Sequence, residues 1–222
     1  MATTTLASSD QDIQTSVQDE LEWTPDVDAA GIGVAVEDGT VSLSGEVDSY
    51  AERLATKRAA LRVRGVNTVV DNLVVHPDST WKVTDTDVAK EIEHALTWAT
   101  NVPDSVRAEV KGHSVTLTGQ VNWDFQRQAA KRAVQYLRGV NSVSNLITLS
   151  ARPSAKEAEG RIKNALIRNA QLDANAIGAT VSGTKVILTG TVRSWAERQQ
   201  AGNAAWASPH VMDVDNRILV RA

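Results

Sequence analysis

Apolar residues recur at helical spacing three times along the chain, as Ile13, Val17 and Leu21, as Val88, Ile92 and Leu96, and as Ala158, Ile162 and Leu166. Residues four apart share one face of a 3.6-residue helix, so each run predicts an amphipathic helix. Polar strings stand at the start of two of them. Ser8-Ser9-Asp10-Gln11 and Ser154-Ala155-Lys156-Glu157 have the capping-box pattern, in which hydroxyl and acid or amide satisfy unpaired backbone N–H groups. The period then changes to two. Ile32, Val34 and Val36 lead through Asp38-Gly39, a dipeptide tolerant of positive φ, to Val41, Leu43 and Gly45, which predicts a hairpin. Val106, Ala108 and Val110 with Val115 and Leu117, and Ile177, Ala179 and Val181 with Val186 and Leu188, predict two more, with Gly112 and Gly183 at their turns. A second helix opens on Ser49-Tyr50-Ala51-Glu52 or Ser194-Trp195-Ala196-Glu197 and runs through alanine-rich sequence to Val63, Leu137 or Ala207. The middle unit has Trp123 in place of the serine, with Asn122 as a substitute cap. A last strand is predicted over Val66–Val75, Val140–Leu149 and Val211–Val220.

The strings themselves repeat. Val41-Ser42-Leu43-Ser44-Gly45-Glu46-Val47, Val115-Thr116-Leu117-Thr118-Gly119-Gln120-Val121 and Val186-Ile187-Leu188-Thr189-Gly190-Thr191-Val192 share one pattern, and their glycines lie 74 and 71 residues apart. A valine follows each glycine by 21 residues, at Val66, Val140 and Val211. Asn72 lies 27 residues after Gly45, whereas Asn145 and Asn216 lie 26 after theirs, so an extra residue with a bulge or turn is expected in the last segment of the first unit.

The order helix, strand, strand, helix, strand makes the second and third strands parallel through a right-handed crossover. The predicted fold is α+β: three tandem small α-β-β-α-β modules over residues 8–76, 84–150 and 154–222, each a mixed three-stranded sheet with two helices on one face and the other face uncovered. Small residues at Ala51, Ala55, Ala59, Ala129, Ala130 and Ala133 let the second helix approach the sheet closely, and the glycine in strand two leaves room for a neighbouring backbone or side chain. The linkers, His76-Pro77-Asp78-Ser79-Thr80 and Ser150-Ala151-Arg152-Pro153, are short and restrict how the modules can be oriented.

Composition narrows the chemistry. The 222 residues are 42 % hydrophobic and 23 % charged with a net charge of -4, which argues against a nucleic-acid binder and for an ordinary globular chain. The absence of cysteine excludes disulfides, thiolate metal sites and a cysteine nucleophile. No apolar run approaches the length of a membrane span. Met1 to Asp12 lacks the cationic start and apolar stretch of a secretory signal, so a cytoplasmic location is expected. His76, His94, His113 and His210 occupy unlike places in their units, none in a metal-ligand spacing, and Gly31-Ile32-Gly33 lacks the third glycine of a dinucleotide loop. Neither a catalytic residue, nor a metal, nor a cofactor is expected.

Asp38-Gly39-Thr40-Val41-Ser42-Leu43-Ser44-Gly45-Glu46-Val47, Arg64-Gly65-Val66-Asn67-Thr68-Val69 and the counterpart Leu137-Arg138-Gly139-Val140-Asn141-Ser142-Val143 carry a resemblance to the BON domain, in three tandem copies. The third copy departs in having His210 where the others have Gly65 and Gly139. The resemblance implies binding rather than catalysis. Its members are bacterial proteins linked to osmotic stress, anionic phospholipid and envelope integrity, which makes a periplasmic or envelope location the alternative, and one cytoplasmic relative binds potassium.

Charge is segregated in a way that bears on binding. The first helix, Asp10 to Trp23, holds five acids and no base, whereas the second holds Arg53, Lys57, Arg58, Arg62 and Arg64 against Glu52. In the second unit Arg127, Lys131, Arg132 and Arg138 oppose only Asp124, and in the third Arg193 and Arg198 face Glu197 and the patch fades. Arg53, Lys57, Arg58, Arg62, Arg127, Lys131 and Arg132 are therefore the candidates for an anionic surface, a phospholipid or an envelope component. The alternatives are a solvated helix face, or a basic helix that docks an acidic one of the next copy within or between chains, giving a self-assembling protein. Six tryptophans accompany a single phenylalanine. Trp23, Trp81, Trp98, Trp123, Trp195 and Trp206 fall at element ends or linkers, where an apolar body with one polar N–H serves either packing between modules or an exposed partner or lipid anchor.

Overall fold

In the first module, α1 (Asp10–Glu22) buries Ile13, Val17 and Leu21, the apolar stripe of its sequence. The computed structural model from which this is read describes residues 9–76, 83–150, 162, 164–165, 176–208 and 211–220. The cap of α1 is Ser9, one residue beyond the Ser8 expected from the sequence: its hydroxyl accepts the Asp12 N–H and the Asp12 carboxylate accepts the Ser9 N–H. These bonds hold the Asp12 carboxyl below its ordinary pKa. Strands β1 (Ile32–Glu37) and β2 (Thr40–Val47) form an antiparallel hairpin closed at Asp38 and Gly39, with φ of 48° and 70°. Helix α2 (Tyr50–Arg62) carries the chain back across the sheet, and β3 (Thr68–Val75) runs parallel to β2. The strand order β1-β2-β3 is that of the mixed sheet expected.

The second module repeats this with α3 (Asp85–Trp98), β4 (Arg107–Lys111), β5 (Ser114–Thr118), β6 (Gln120–Val121), α4 (Asp124–Val134), β7 (Ser142–Asn145) and β8 (Thr148–Leu149). The third supplies β9 (Ile177–Ser182), β10 (Lys185–Val192), α5 (Trp195–Trp206), β11 (Asp213–Asn216) and β12 (Leu219–Val220). Ile162 is buried in the third core, while Ala158, Leu166 and the Ser154–Glu157 cap lie outside the described residues. The fold is α+β, in three tandem modules with three cores.

Register corrects the expected insertion in the first unit. Pairing of β2 with β3 is unbroken from Thr40↔Thr68 to Val47↔Val75, with neither bulge nor turn. It sets Leu43 opposite Asp71, as Leu117 faces Asn145 and Leu188 faces Asn216. The true counterpart of the two asparagines is Asp71, not Asn72, and the units are of equal length here. All three side chains do the same local work: Asp71, Asn145 and Asn216 accept the N–H two residues on, from Leu73, Ile147 and Ile218, which are buried. The strand is interrupted instead in the second and third units, between β7 and β8 and between β11 and β12.

The caps of the second helices are also half of what the sequence predicts. Ser49 and Ser194 accept the Glu52 and Glu197 N–H groups, but the acids reach past them. Glu52 takes the N–H of Asp48 and of Asp28, tying α2 to the loop before β1, and Glu197 takes that of Arg193. At α4 the cap position is Trp123 itself, and Asn122 is not the cap: the Gln126 side-chain oxygen accepts the N–H of both Asn122 and Trp123 from inside the helix.

One glycine position is required by close approach. Gly45, Gly119 and Gly190 have φ of 118°, 126° and 124°, and a Cβ there would stand 2.1, 2.3 and 2.0 Å from the carbonyl oxygens of Gly31, Ser105 and Ala176. A different clamp joins the first helix to the hairpin turn. The Asp85 carboxylate accepts the N–H groups of Gly112 and His113 at 2.8 and 2.9 Å, and those bonds lower its pKa. Asp10 makes the equivalent bonds to Asp38 and Gly39. Alanines and one glycine on the second helices, including Ala59, Ala130, Ala201 and Gly202, are buried against the sheets. On the far face of the first sheet Val70 and Val74 are exposed. Among the described residues no helix is long and apolar enough to cross a membrane.

Candidate functional site

The second helices place one arginine at the same point in every module, eight residues after the strand-two glycine: Arg53, Arg127 and Arg198. Each lies beside the Asp71, Asn145 or Asn216 position of its own third strand, and the side chain there decides what the guanidinium does. In the first module the carboxylate of Asp71 takes the Arg53 Nε at 3.0 and 3.2 Å, with Lys57 Nζ 4.0 Å away. In the second, Asn145 donates to the Arg127 carbonyl, and the guanidinium turns to Asp124 at 2.8 Å. In the third, Asn216 donates to the Arg198 carbonyl and its own carbonyl accepts Arg198 Nη2 at 2.8 Å. A neutral asparagine keeps the turn but brings no charge, so Arg127 turns to Asp124 and Arg198 to a backbone carbonyl.

The modules meet through these helices. Trp195, opening α5, donates its indole N–H to the carbonyl of Val66, ahead of β3 in the first module, at 3.1 Å. Tyr50, opening α2, packs on the core of the second module and its hydroxyl bonds to the backbone of Val143 on the edge strand β7; burial raises its pKa. Arg127 of α4 lies 4.7 Å over the ring of Trp206, and Trp206 and Met212 of the third module pack on the second core.

Where α2, α4 and α5 come together lies a cavity of about 600 Å³. Lys57 and Arg58 enter it from the first module, Lys131 from the second and Arg198 from the third, with Trp195 and Tyr136 in its wall and no carboxylate among the described residues that line it. Lys131 makes no ion pair among the described residues. The Arg58 Nε donates to the Leu54 carbonyl of its own helix. Arg198 is held flat, 4.5 Å over the Trp195 ring, and its Nε is buried with no hydrogen-bond partner. A buried guanidinium N–H without an acceptor is costly.

The predicted basic set thus divides. Arg53 and Arg127 are neutralised by Asp71 and Asp124, and Arg62 by Glu20, with a further bond to Thr24 that ties α1 to α2. Lys57, Arg58 and Lys131 line the shared cavity, and Arg132 is exposed. Arg198 belongs with them although the third unit reads as the fading one; its spacing of eight from Gly190 was the available signal. A second cavity, of about 630 Å³, lies between the first and third modules, with Arg62, Arg64, Arg193 and Trp195 among its lining residues.

The tryptophans divide as well. Trp195 and Trp206 join modules. Trp123 lies 6.3 Å from Phe125, ring to ring. Trp23 and Trp98, at equivalent ends of α1 and α3, are 86 % and 84 % exposed and so do not serve packing between modules. Trp81 lies outside the described residues. Among the described residues no group of three or more histidine, aspartate or glutamate side chains is placed to hold a metal ion.

No curated protein matches the chain. Among solved structures it is similar to the C-terminal domain of CdsD, a structural protein of the type III secretion system of Chlamydia trachomatis, at 10 % identity over 95 % of this chain and 98 % of that one, with a TM-score of 0.27. It is similar also to the periplasmic domain of the type III secretion inner-membrane protein PrgH of S. typhimurium, at 11 % identity over 86 % and 95 % of the two chains, with a TM-score of 0.22. Superpositions at that level fix neither arrangement nor role. The family model of the BON domain matches residues 9–77, 84–151 and 154–222, and the chain belongs to the BON domain family, in three tandem copies.

Proposed function

We propose that the chain is a non-enzymatic binding protein whose three BON modules jointly engage anionic phospholipid or another anionic envelope component. The observation that carries this reading is the gathering of Lys57, Arg58, Lys131 and Arg198, from three modules, around one cavity with no carboxylate among the described residues of its wall. Cations held together beside apolar groups attract an anion more strongly than the same cations dispersed in water. The net charge of -4 sets this patch against an acidic remainder, so an anionic surface would be met by one side of the molecule. Flotation with phosphatidylcholine vesicles, with and without an anionic lipid, tests it across salt. Binding that requires the anionic lipid and weakens as salt rises is expected; binding indifferent to both overturns the reading.

A second reading, self-association, draws on Trp23 and Trp98, two bare indoles at matching places on neighbouring modules. Light scattering against concentration tests it, and a monomer throughout would dismiss it.

A further inference from the structure

We infer that the cavity between the second helices is a site for a phosphate monoester, with the phosphate among Lys57, Lys131 and Arg198 and the organic part against Leu54, Tyr136 and Trp195. This rests on the anion-binding reading above and narrows it from a charged surface to one chemical group.

Three features lead there. The cations come from three helices and converge on one volume, which suits a compact ligand with several acceptor oxygens better than a flat layer of charge. The Arg198 guanidinium, in the cavity wall, is already oriented by the Asn216 carbonyl and the Trp195 ring, so its charge is held in place before a ligand arrives. The third is size. At about 600 Å³ the cavity falls within the range of small-molecule sites, and a bare phosphate would leave most of it empty. Leucine and aromatic side chains in the same wall give the remainder of an ester an apolar surface to lie against. The monoester is favoured over the diester because it brings two charges and three free oxygens to a site lined by Arg58, Lys131, Arg198 and Lys57, the last shared with Asp71 at 4.0 Å, where a diester brings one charge and two.

The source of the group, a soluble ester or a lipid headgroup, is separated by the test. The full chain is titrated with phenyl phosphate and with dimethyl phosphate, followed by calorimetry and tryptophan fluorescence. Phosphatidic acid and phosphatidylglycerol vesicles of matched surface charge are then added as competitors. Phenyl phosphate is expected to saturate one site per chain and dimethyl phosphate to bind at least tenfold more weakly. Lys131→Gln and Arg198→Gln should each weaken phenyl phosphate by about tenfold or more, while Lys90→Gln, on α3, changes nothing. Lys131 makes no ion pair among the described residues, so its variant keeps the test valid if Arg198→Gln disturbs folding. Competition by phosphatidic acid alone identifies a headgroup, and its absence identifies a soluble ester; both support the site. If phenyl phosphate does not bind while both vesicles bind alike, the site is overturned and the anionic-surface reading stands. If neither ester nor vesicle binds, both fall.

Discussion

Trp195 reaches from the third module to the first, where its indole N–H meets the carbonyl of Val66 at 3.1 Å, although 129 residues separate them. A side chain that lends one face to Arg198 and its only donor to another module couples the cavity to the docking of the modules.

Replacing Trp195 by Phe removes that donor and leaves the carbonyl of Val66 unanswered, at a cost of about 1 kcal/mol in docking. Trp195→Ala removes the ring beneath Arg198 as well, and about 3 kcal/mol is expected. Small-angle scattering should report a larger radius for the alanine variant, with the far-ultraviolet dichroism of the three modules unchanged. An unaltered radius would count against the coupling.

Asp71→Asn makes the first module like the other two. The amide oxygen can still accept the Leu73 N–H, as Asn145 and Asn216 do for Ile147 and Ile218, so the expected loss of stability is modest, about 1 kcal/mol, from the broken pairing with Arg53. Arg53 and Lys57 are released from their shared counter-charge. Binding to anionic vesicles should strengthen, with a steeper salt dependence, as seen in flotation.

Gly119→Ala sets a Cβ 2.3 Å from the Ser105 carbonyl oxygen at a φ of 126°, a conformation closed to alanine. A loss of about 3 kcal/mol or more in urea unfolding is expected. Gly112→Ala has φ of 55° and nothing within 4 Å, so only the left-handed backbone cost of about 1 kcal/mol applies. Equal effects would refute the close-approach argument.

Acid should loosen the second module at the clamp between α3 and its hairpin. The folded pKa of Asp85 lies below the ordinary aspartate value because the His113 and Gly112 N–H groups favour the charged form. Its contribution is therefore present above about pH 4 and is lost as pH falls through the lower, folded value. Urea unfolding from pH 6 to pH 2 should lose part of its acid dependence in Asp85→Asn.

Trp23→Ser and Trp98→Ser touch no core and should alter stability by less than about 0.5 kcal/mol. If the bare indoles are where copies meet, scattering at high concentration will fall in the double variant alone.

The repeat, the hairpins and the parallel third strand were legible because each depends on local periodicity and on turn residues such as Asp38-Gly39. The one-residue insertion was misread because Asn72-Leu73 imitates Asn145-Leu146 by identity, while the physical counterparts are Asp71 and Leu73 with Asn145 and Ile147. Identity favoured the wrong asparagine; only the pairing of Leu43 with Asp71 decides. The site was half legible. Helix charge singled out Lys57, Arg58 and Lys131, but the acceptor for Trp195 is a backbone carbonyl, which leaves no trace in a sequence.

Two of the contacts between modules run in one direction: the start of a second helix addresses the entrance or edge of another module's third strand, from third to first and from first to second. Such a head-to-tail handshake has no built-in end, and among separate molecules it would propagate as a filament or close on itself. Here one polypeptide carries both links, so each is made within the chain. Cutting either link would leave its two ends unpaired on the same molecule, and two such molecules could trade modules.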